Sequence, residues 1–178
     1  MLMFHYVKRE LESWFVHRFS VDTMSYTRLL SNSFVYWIWE GICLGYSLFS
    51  PYWTPPSFLP YCVKICLITS FFAFEVLNGL GHLNLRNLRP PGTRVRGIPT
   101  GLGYDLVSCA HYFYEIICWS VFAIFVHTMA AYVWLIFTCV VLSDWGMTRH
   151  LRYIKEFDGK EGRLLYPPER KALIPFIY

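Results

Sequence analysis

Four unbroken apolar runs limit what this chain can fold into more than anything else in it. They lie at about 33–50, 58–83, 106–127 and 129–147. Each is roughly 18–25 residues long, enough for a helix to cross the ~30 Å hydrocarbon core of a bilayer. In lipid only helices and closed barrels satisfy their own backbone polar groups, and continuous rather than alternating apolar character argues for helices. Composition agrees: of 178 residues, 55% are hydrophobic, 20% aromatic and only 16% charged, too few charges for a soluble domain of this size. The expected fold class is all-α and polytopic, a bundle of about four transmembrane helices preceded by an amphipathic N-terminal helix. The expected domain organisation is a single unit over 1–178, with an amphipathic segment and polar linker at 1–32, a membrane bundle at 33–147 and a tail at 148–178.

The basic residues sort by segment. Lys8, Arg9, Arg18 and Arg28 precede the first run; Arg86, Arg89, Arg94 and Arg96 lie between the second and third; Arg149, Arg152, Lys155, Lys160, Arg163, Arg170 and Lys171 follow the last. Only Lys64 of the sixteen lies elsewhere. With four spans these segments share one side, which the positive-inside rule makes cytosolic, so both termini are expected there. The opposite loop, Pro51 to Ser57, carries no charge. The six cysteines at 43, 62, 66, 109, 118 and 139 fit no zinc or disulfide framework and read as free, buried thiols. No cleavable signal peptide is expected, because MLMFHYVKRE leads directly into a charged amphipathic segment.

Three polar constellations interrupt the apolar pattern. In FEVLNGLGHLNLRNLRPPG, Asn78, His82 and Arg86 follow at intervals of four, with Arg89 three further on, and on a helix these share roughly one face. Arginines alone would suit a frayed helix end, but Asn78 and His82 lie deeper, where polar groups usually face a cavity or a ligand. In VSCAHYFYEIICW, Ser108, Tyr112, Glu115 and Trp119 recur on a helical face, with His111 four residues before Glu115. A carboxylate there needs a partner or must be neutral, and a His111–Glu115 packing pair is one solution. In TRHLRYIKEF, Arg149 and Tyr153 are four apart, beside His150; a plain basic tail meeting anionic lipid is the alternative.

Arginines gathered at one aqueous mouth suit phosphates, since a guanidinium offers paired donors and keeps its charge. A phosphate-rich nucleotide cofactor or a coenzyme A thioester would meet that requirement, with the apolar bundle holding a lipid-like group. There is no Rossmann fingerprint, no HExxH, no Cys–His cluster and no Gly-x-Ser-x-Gly, so metal chemistry and triad hydrolysis are not expected. No nucleic-acid partner is expected either. Tyr112 is the natural acid, because a phenol is protonated at neutral pH.

The motifs FVHRFSVDTM (15–24), YWTPP (52–56), N-x3-H-x3-R-x2-RPPGT (78–93), RGIPTG (96–101), VSCAHYFYE (107–115), W-x4-H-x2-YIKEFDGKEG (145–162) and the terminal ALIPFIY extend over nearly the whole chain. In them the sequence resembles the very-long-chain trans-2-enoyl-CoA reductases of the steroid 5α-reductase superfamily. The resemblance implies a multi-pass protein of the endoplasmic reticulum membrane that reduces trans-2-enoyl-CoA with NADPH during fatty acid elongation, in association with other elongation enzymes. It implies that the tyrosine matching Tyr112 protonates the α-carbon, and that positions matching Asn78, His82, Arg89, Glu115, His150 and Tyr153 contact the cofactor. Arg86 and Arg149, from the arginine-rich mouth, and His111, which stands where the family usually has Asn, complete the expected cofactor side. Family members carry a ubiquitin-like region, further membrane helices and an acidic residue N-terminal to FVHRFS, so this chain is expected to be the C-terminal membrane part. A steroid or polyprenal enone reductase, or a catalytically inactive membrane subunit, are the competing readings.

Overall fold

The computed structural model describes residues 1–18, 23–93 and 96–178. Helix α1 runs over Leu2–Leu11 and passes without a break into a π-helical turn, Glu12–Val16. His17 adopts an extended backbone (φ −69°, ψ 135°) and ends it. The stretch expected as a polar linker contains helix α2, Tyr26–Ser33, which begins where Ser25 is extended (φ −63°, ψ 144°). α2 leads directly into a π-helical segment, Phe34–Leu44, and then α3, Gly45–Leu48, with helical backbone angles at both junctions. The first expected span is thus the distal part of one irregular rod, and π-helical runs of this length are uncommon.

α4, Tyr61–Asn87, starts after Pro60, whose lack of an N–H costs nothing at a helix entry, and stops before the Pro90–Pro91–Gly92 turn. α5, Ala110–Val126, ends at His127 in the left-handed region (φ 49°, ψ 48°). Thr128 then caps α6, Met129–Glu156, its Oγ1 accepting from Ala131 N–H at 3.3 Å. A single left-handed residue followed by a threonine cap is how the chain reverses so abruptly between these helices.

α4 packs on α5 and α5 on α6, while the Glu12–Val16 turn rests on α4 and the Phe34–Leu44 segment on α6. Their shared core is Leu44, Phe71, Cys118, Trp119, Phe122, Ala123, Val126, Ala131 and Trp134. The uncharged 51–57 loop is tied to this core, since Trp53 Nε1 donates to the Val126 carbonyl at 3.1 Å. α4 and α6 are long and apolar enough to cross a membrane, whereas apolar α5 has 17 residues. Among the described residues the protein is helical with no strand, only two isolated β-bridges, and it is a membrane protein.

The reading of the cysteines is corrected. Only Cys109 and Cys118 are buried; Cys139 is half-buried and Cys43, Cys62 and Cys66 are exposed, although all six are free. They lie on outward faces of apolar helices, where a small hydrophobe suits lipid as well as a core. The tail also does not hang free. It returns to the start of α5, where Ser108 N–H donates to the Lys171 carbonyl at 2.8 Å and Cys109 N–H to that of Ala172 at 3.2 Å. Buried Arg170 donates to the Pro99 carbonyl at 2.8 Å.

Candidate functional site

α4 carries Glu75, Asn78 and His82 on one face, and all three are buried. What covers them is α1 with the turn that follows it, whose His5, Lys8, Arg9 and Glu12 recur at matching intervals of three and four. His5 Nδ1 lies 2.7 Å from Glu75 Oε1, and Lys8 Nζ lies 2.7 Å from Glu75 Oε2. Lys8 also donates to Asn78 Oδ1 at 2.5 Å. Further along, His82 Nδ1 meets Glu12 Oε2 at 2.9 Å and His17 Nε2 at 3.2 Å. The Arg9 guanidinium stands 3.1 Å from the same Glu12 oxygen and 3.2 Å from His82 Nδ1. Glu12, His17 and His82 bring possible ligand atoms within 4.8 Å of one another, but the Arg9 guanidinium already supplies positive charge at that point.

Glu12 and His17 lie outside the apolar helices. Burial alone would raise the Glu12 carboxyl, but the His82 hydrogen bond and charge, with Lys8 and Arg9, outweigh it and hold it at about 2. For His17, burial and then the positive charges of His82 and Arg9 act in the same direction and bring it down to about 4. At neutral pH the corner therefore holds an ionised Glu12 and an uncharged His17.

The α5 side begins where Asn78 Nδ2 donates to the His111 carbonyl at 2.9 Å and reaches Glu115 Oε2 at 3.4 Å. Glu115 thus finds its partner on α4. The His111 ring turns instead to Tyr104, its Nδ1 lying 2.9 Å from the phenol oxygen. Beside it, with ring centroids 4.2 Å apart, is Tyr112. The Arg149 guanidinium carbon stands 5.1 Å from the Tyr112 ring centroid, in cation–π geometry. Tyr112 is 8% exposed, and its hydroxyl has no hydrogen-bond partner among the described residues.

The third constellation is built on α6 and the returning tail. Tyr153 is buried and stacks on Tyr166 with planes 5° apart. His150 Nδ1 lies 2.6 Å from Ser108 Oγ, which is also 2.6 Å from the Tyr166 hydroxyl. Ser108 precedes the first residue of α5, so it does not share a helical face with Tyr112.

The expected residues therefore fall into two groups. Asn78, His82, His111, Glu115, Tyr112 and Arg149 come together around the α4–α5–α6 contact, whereas His150 and Tyr153 sit where the tail docks. Arg89 is held through backbone, its Nε and NH1 donating to the Thr93 and Arg18 carbonyls at 2.8 Å each. Arg18 donates in return to the Arg86 carbonyl at 3.2 Å and to that of Arg89. Arg94, counted among the basic residues of this loop, lies outside the described residues, as do 19–22 of the FVHRFSVDTM motif. His5, Lys8, Arg9, Glu12, Glu75 and Tyr104 are site residues that the sequence reading did not single out. The signal was the shared three-and-four rhythm of His5, Lys8 and Glu12 with Glu75, Asn78 and His82.

A phosphate-bearing group is testable against this donor set. The arginines in ion pairs are Arg9, Arg163 and Arg170, so Arg86, Arg89, Arg96, Arg149 and Arg152 have no carboxylate partner among the described residues. Guanidinium charge without counter-charge fits a phosphate ligand. Asn78 and His82, by contrast, have their polar atoms committed to Lys8, Glu115, Glu12 and His17.

Residues 22–178 match the family model described as 3-oxo-5-alpha-steroid 4-dehydrogenase. A Schizosaccharomyces pombe protein named as an enoyl reductase is 37% identical over 99% of this chain and 57% of its own length. The very-long-chain enoyl-CoA reductase of Dictyostelium discoideum is 36% identical over 97% of this chain and 55% of its own length. A mouse protein named 3-oxo-5-alpha-steroid 4-dehydrogenase 1 is 29% identical over 99% of this chain and 66% of its own length. The chain thus spans a little over half the length of the first two.

Proposed function

The chain belongs to the 3-oxo-5-alpha-steroid 4-dehydrogenase family, and from that premise we propose that it is the C-terminal membrane part of a very-long-chain trans-2-enoyl-CoA reductase. The substrate is an acyl-CoA, the hydride donor NADPH, and the setting the endoplasmic reticulum membrane, with four spans and both termini cytosolic. The greater similarity to enoyl reductases than to the steroid enzyme supports this choice of substrate.

The observation that carries the reading is Tyr112: buried, its hydroxyl without a partner among the described residues, and its ring under the Arg149 guanidinium. A phenol committed to no other acceptor is available to give its proton to the α-carbon of a reduced enoyl thioester. Arg149, unneutralised by any carboxylate, fixes the ring and stabilises negative charge that develops there. The hydride for the β-carbon is what NADPH would supply when bound. Arg86, Arg89 and Arg149 hold its phosphates, with His150 and Tyr153 at the tail. Asn78, His82, His111 and Glu115 complete the cofactor side by ordering the wall between α4 and α5.

The test is Tyr112→Phe, made in a parent that reduces enoyl-CoA, with the N-terminal half supplied. Nucleotide affinity should persist while turnover drops by roughly 10²–10⁴, the usual contribution of a general acid. Turnover within a few-fold of the parent would make Tyr112 structural.

A further inference from the structure

Ser108 holds more hydrogen-bond partners than one hydroxyl can donate to. Its Oγ lies 2.6 Å from His150 Nδ1, 2.6 Å from the Tyr166 hydroxyl and 3.2 Å from the Lys171 carbonyl. All of this is buried, Ser108 being 1% and Tyr166 3% exposed. Tyr166 is clamped in place, stacked on Tyr153 and covered by the Arg170 guanidinium 5.5 Å from its ring centroid.

Contact lengths give the chain its direction. Ser108 is the only hydrogen-bond partner of the Tyr166 hydroxyl among the described residues, so the phenol donates to Ser108 Oγ. The serine then has one proton to place. The Lys171 carbonyl is the poorer acceptor, being farther away and already taking the Ser108 backbone N–H at 2.8 Å. His150 Nδ1, at 2.6 Å, is the closer acceptor for it. A neutral imidazole that accepts at Nδ1 carries its hydrogen on Nε2, and Nε2 has no partner among the described residues.

We infer that Tyr166 and Ser108 are positioning residues that lock His150 in the Nε2–H tautomer, so that it presents an N–H donor to an acceptor oxygen of the bound ligand. The relay stands on this geometry; that a ligand binds at His150, and that it is NADPH, rests on the function proposed above. The tautomer matters because its alternative would turn an Nε2 lone pair towards a phosphate or ribose oxygen, replacing attraction with repulsion. The tail contributes to the site through this relay, although it lies far along the chain from α5.

The experiment uses the 178-residue chain with ¹⁵N-labelled histidine, in detergent at pH 8, with His150 assigned by difference against His150→Gln. In the parent, His150 should show a protonated Nε2 and an unprotonated Nδ1. Ser108→Ala should move the proton towards Nδ1 and weaken NADPH binding by about three- to tenfold, as loss of one hydrogen bond does. Ser108→Thr, which keeps the hydroxyl, should restore both. Tyr166→Phe keeps the ring stack but removes the donor to Ser108 Oγ, leaving both of its lone pairs open to donors, and should give a mixture of tautomers. A parent with its proton on Nδ1 overturns the inference, and that measurement needs no variant to fold. So does a Ser108→Ala protein with an unchanged tautomer, or with a changed tautomer and unchanged affinity. If the tautomer behaves as expected but the chain binds no NADPH even with the N-terminal half supplied, the relay stands and the nicotinamide reading fails.

Discussion

The Glu12 carboxylate and the His82 imidazole meet at 2.9 Å across 70 residues of sequence, both buried. This contact, with the His5–Glu75 pair at 2.7 Å, fastens the N-terminal helical segment to α4 through polar groups, alongside the Phe4–Phe72 ring contact at 5.0 Å. Polar attachment makes the junction sensitive to proton concentration in a way that apolar packing is not.

Stability should fall with acid in two windows. His17 is depressed to about 4 from an ordinary 6.5, so between those values the unfolded chain binds a proton that the native chain refuses. Glu12 is depressed to about 2 from 4.5, and its contribution, full above 4.5, fades as pH drops through that lower range. In both cases the unfolded state holds more protons, so stability rises with pH. The thermal midpoint in detergent should therefore decline from pH 7 to pH 4, and His17→Gln should flatten the upper part of that decline. A flat parent profile would contradict the assignment.

Glu75 should be among the most destabilising positions to truncate. Its carboxylate meets both His5 and Lys8 at 2.7 Å in a buried setting. Removing it strands two partners, and breaking a buried pair in this way costs about 3–5 kcal/mol. Glu75→Ala and His5→Ala combined should lose less than the sum of the two, which a double-mutant cycle in detergent unfolding would register.

Gly81 permits the close approach of α4 and α5. A β-carbon there would come within 3.1 Å of His111 Cβ and 3.2 Å of the Tyr104 hydroxyl. Both neighbours are buried and joined by a 2.9 Å hydrogen bond, so neither can move aside freely. Gly81→Ala should cost about 1–3 kcal/mol, the usual penalty of overpacking, whereas Gly92→Ala meets no atom within 4 Å and carries only the strain of its φ of 72°. Comparing melting temperatures of the two variants separates crowding from backbone strain.

The topology is testable independently of any activity. Glycosylation acceptor sites placed within 51–57 should be modified on the lumenal side, and sites at either terminus should not. The expectation follows from the gathering of fifteen of the sixteen basic residues in the three segments that four spans place on the opposite side from that loop. A modified C-terminal acceptor would reverse the orientation.

Spacing within a segment was legible from the start. Runs of apolar residues marked α4, α5 and α6, and intervals of three and four placed Asn78 and His82 on one face, because helical periodicity is a local property. The stripe did not reveal its partner. Asn78 and His82 are covered by Lys8, Arg9 and Glu12, and nothing in a periodic pattern states which other face will meet it. The face read across Ser108 and Tyr112 failed for a related reason: the helix begins at Ala110, and the backbone just before it is claimed by Lys171 and Ala172 of the tail.

What the sequence by itself determined was therefore the helical, lipid-compatible class, the segments in which basic charge gathers, and the placing of Asn78 and His82 on α4 and of Tyr112 within apolar α5. What only the tertiary structure decided was pairing: Glu12 with His82, Asn78 with Glu115, Arg149 over Tyr112, and Ser108 between His150 and Tyr166. The physical reason is that burial of apolar surface is non-directional and can be read from composition and period. A buried polar group, in contrast, must find a specific partner of matching geometry, and here those partners come from elements that only the folded chain brings together.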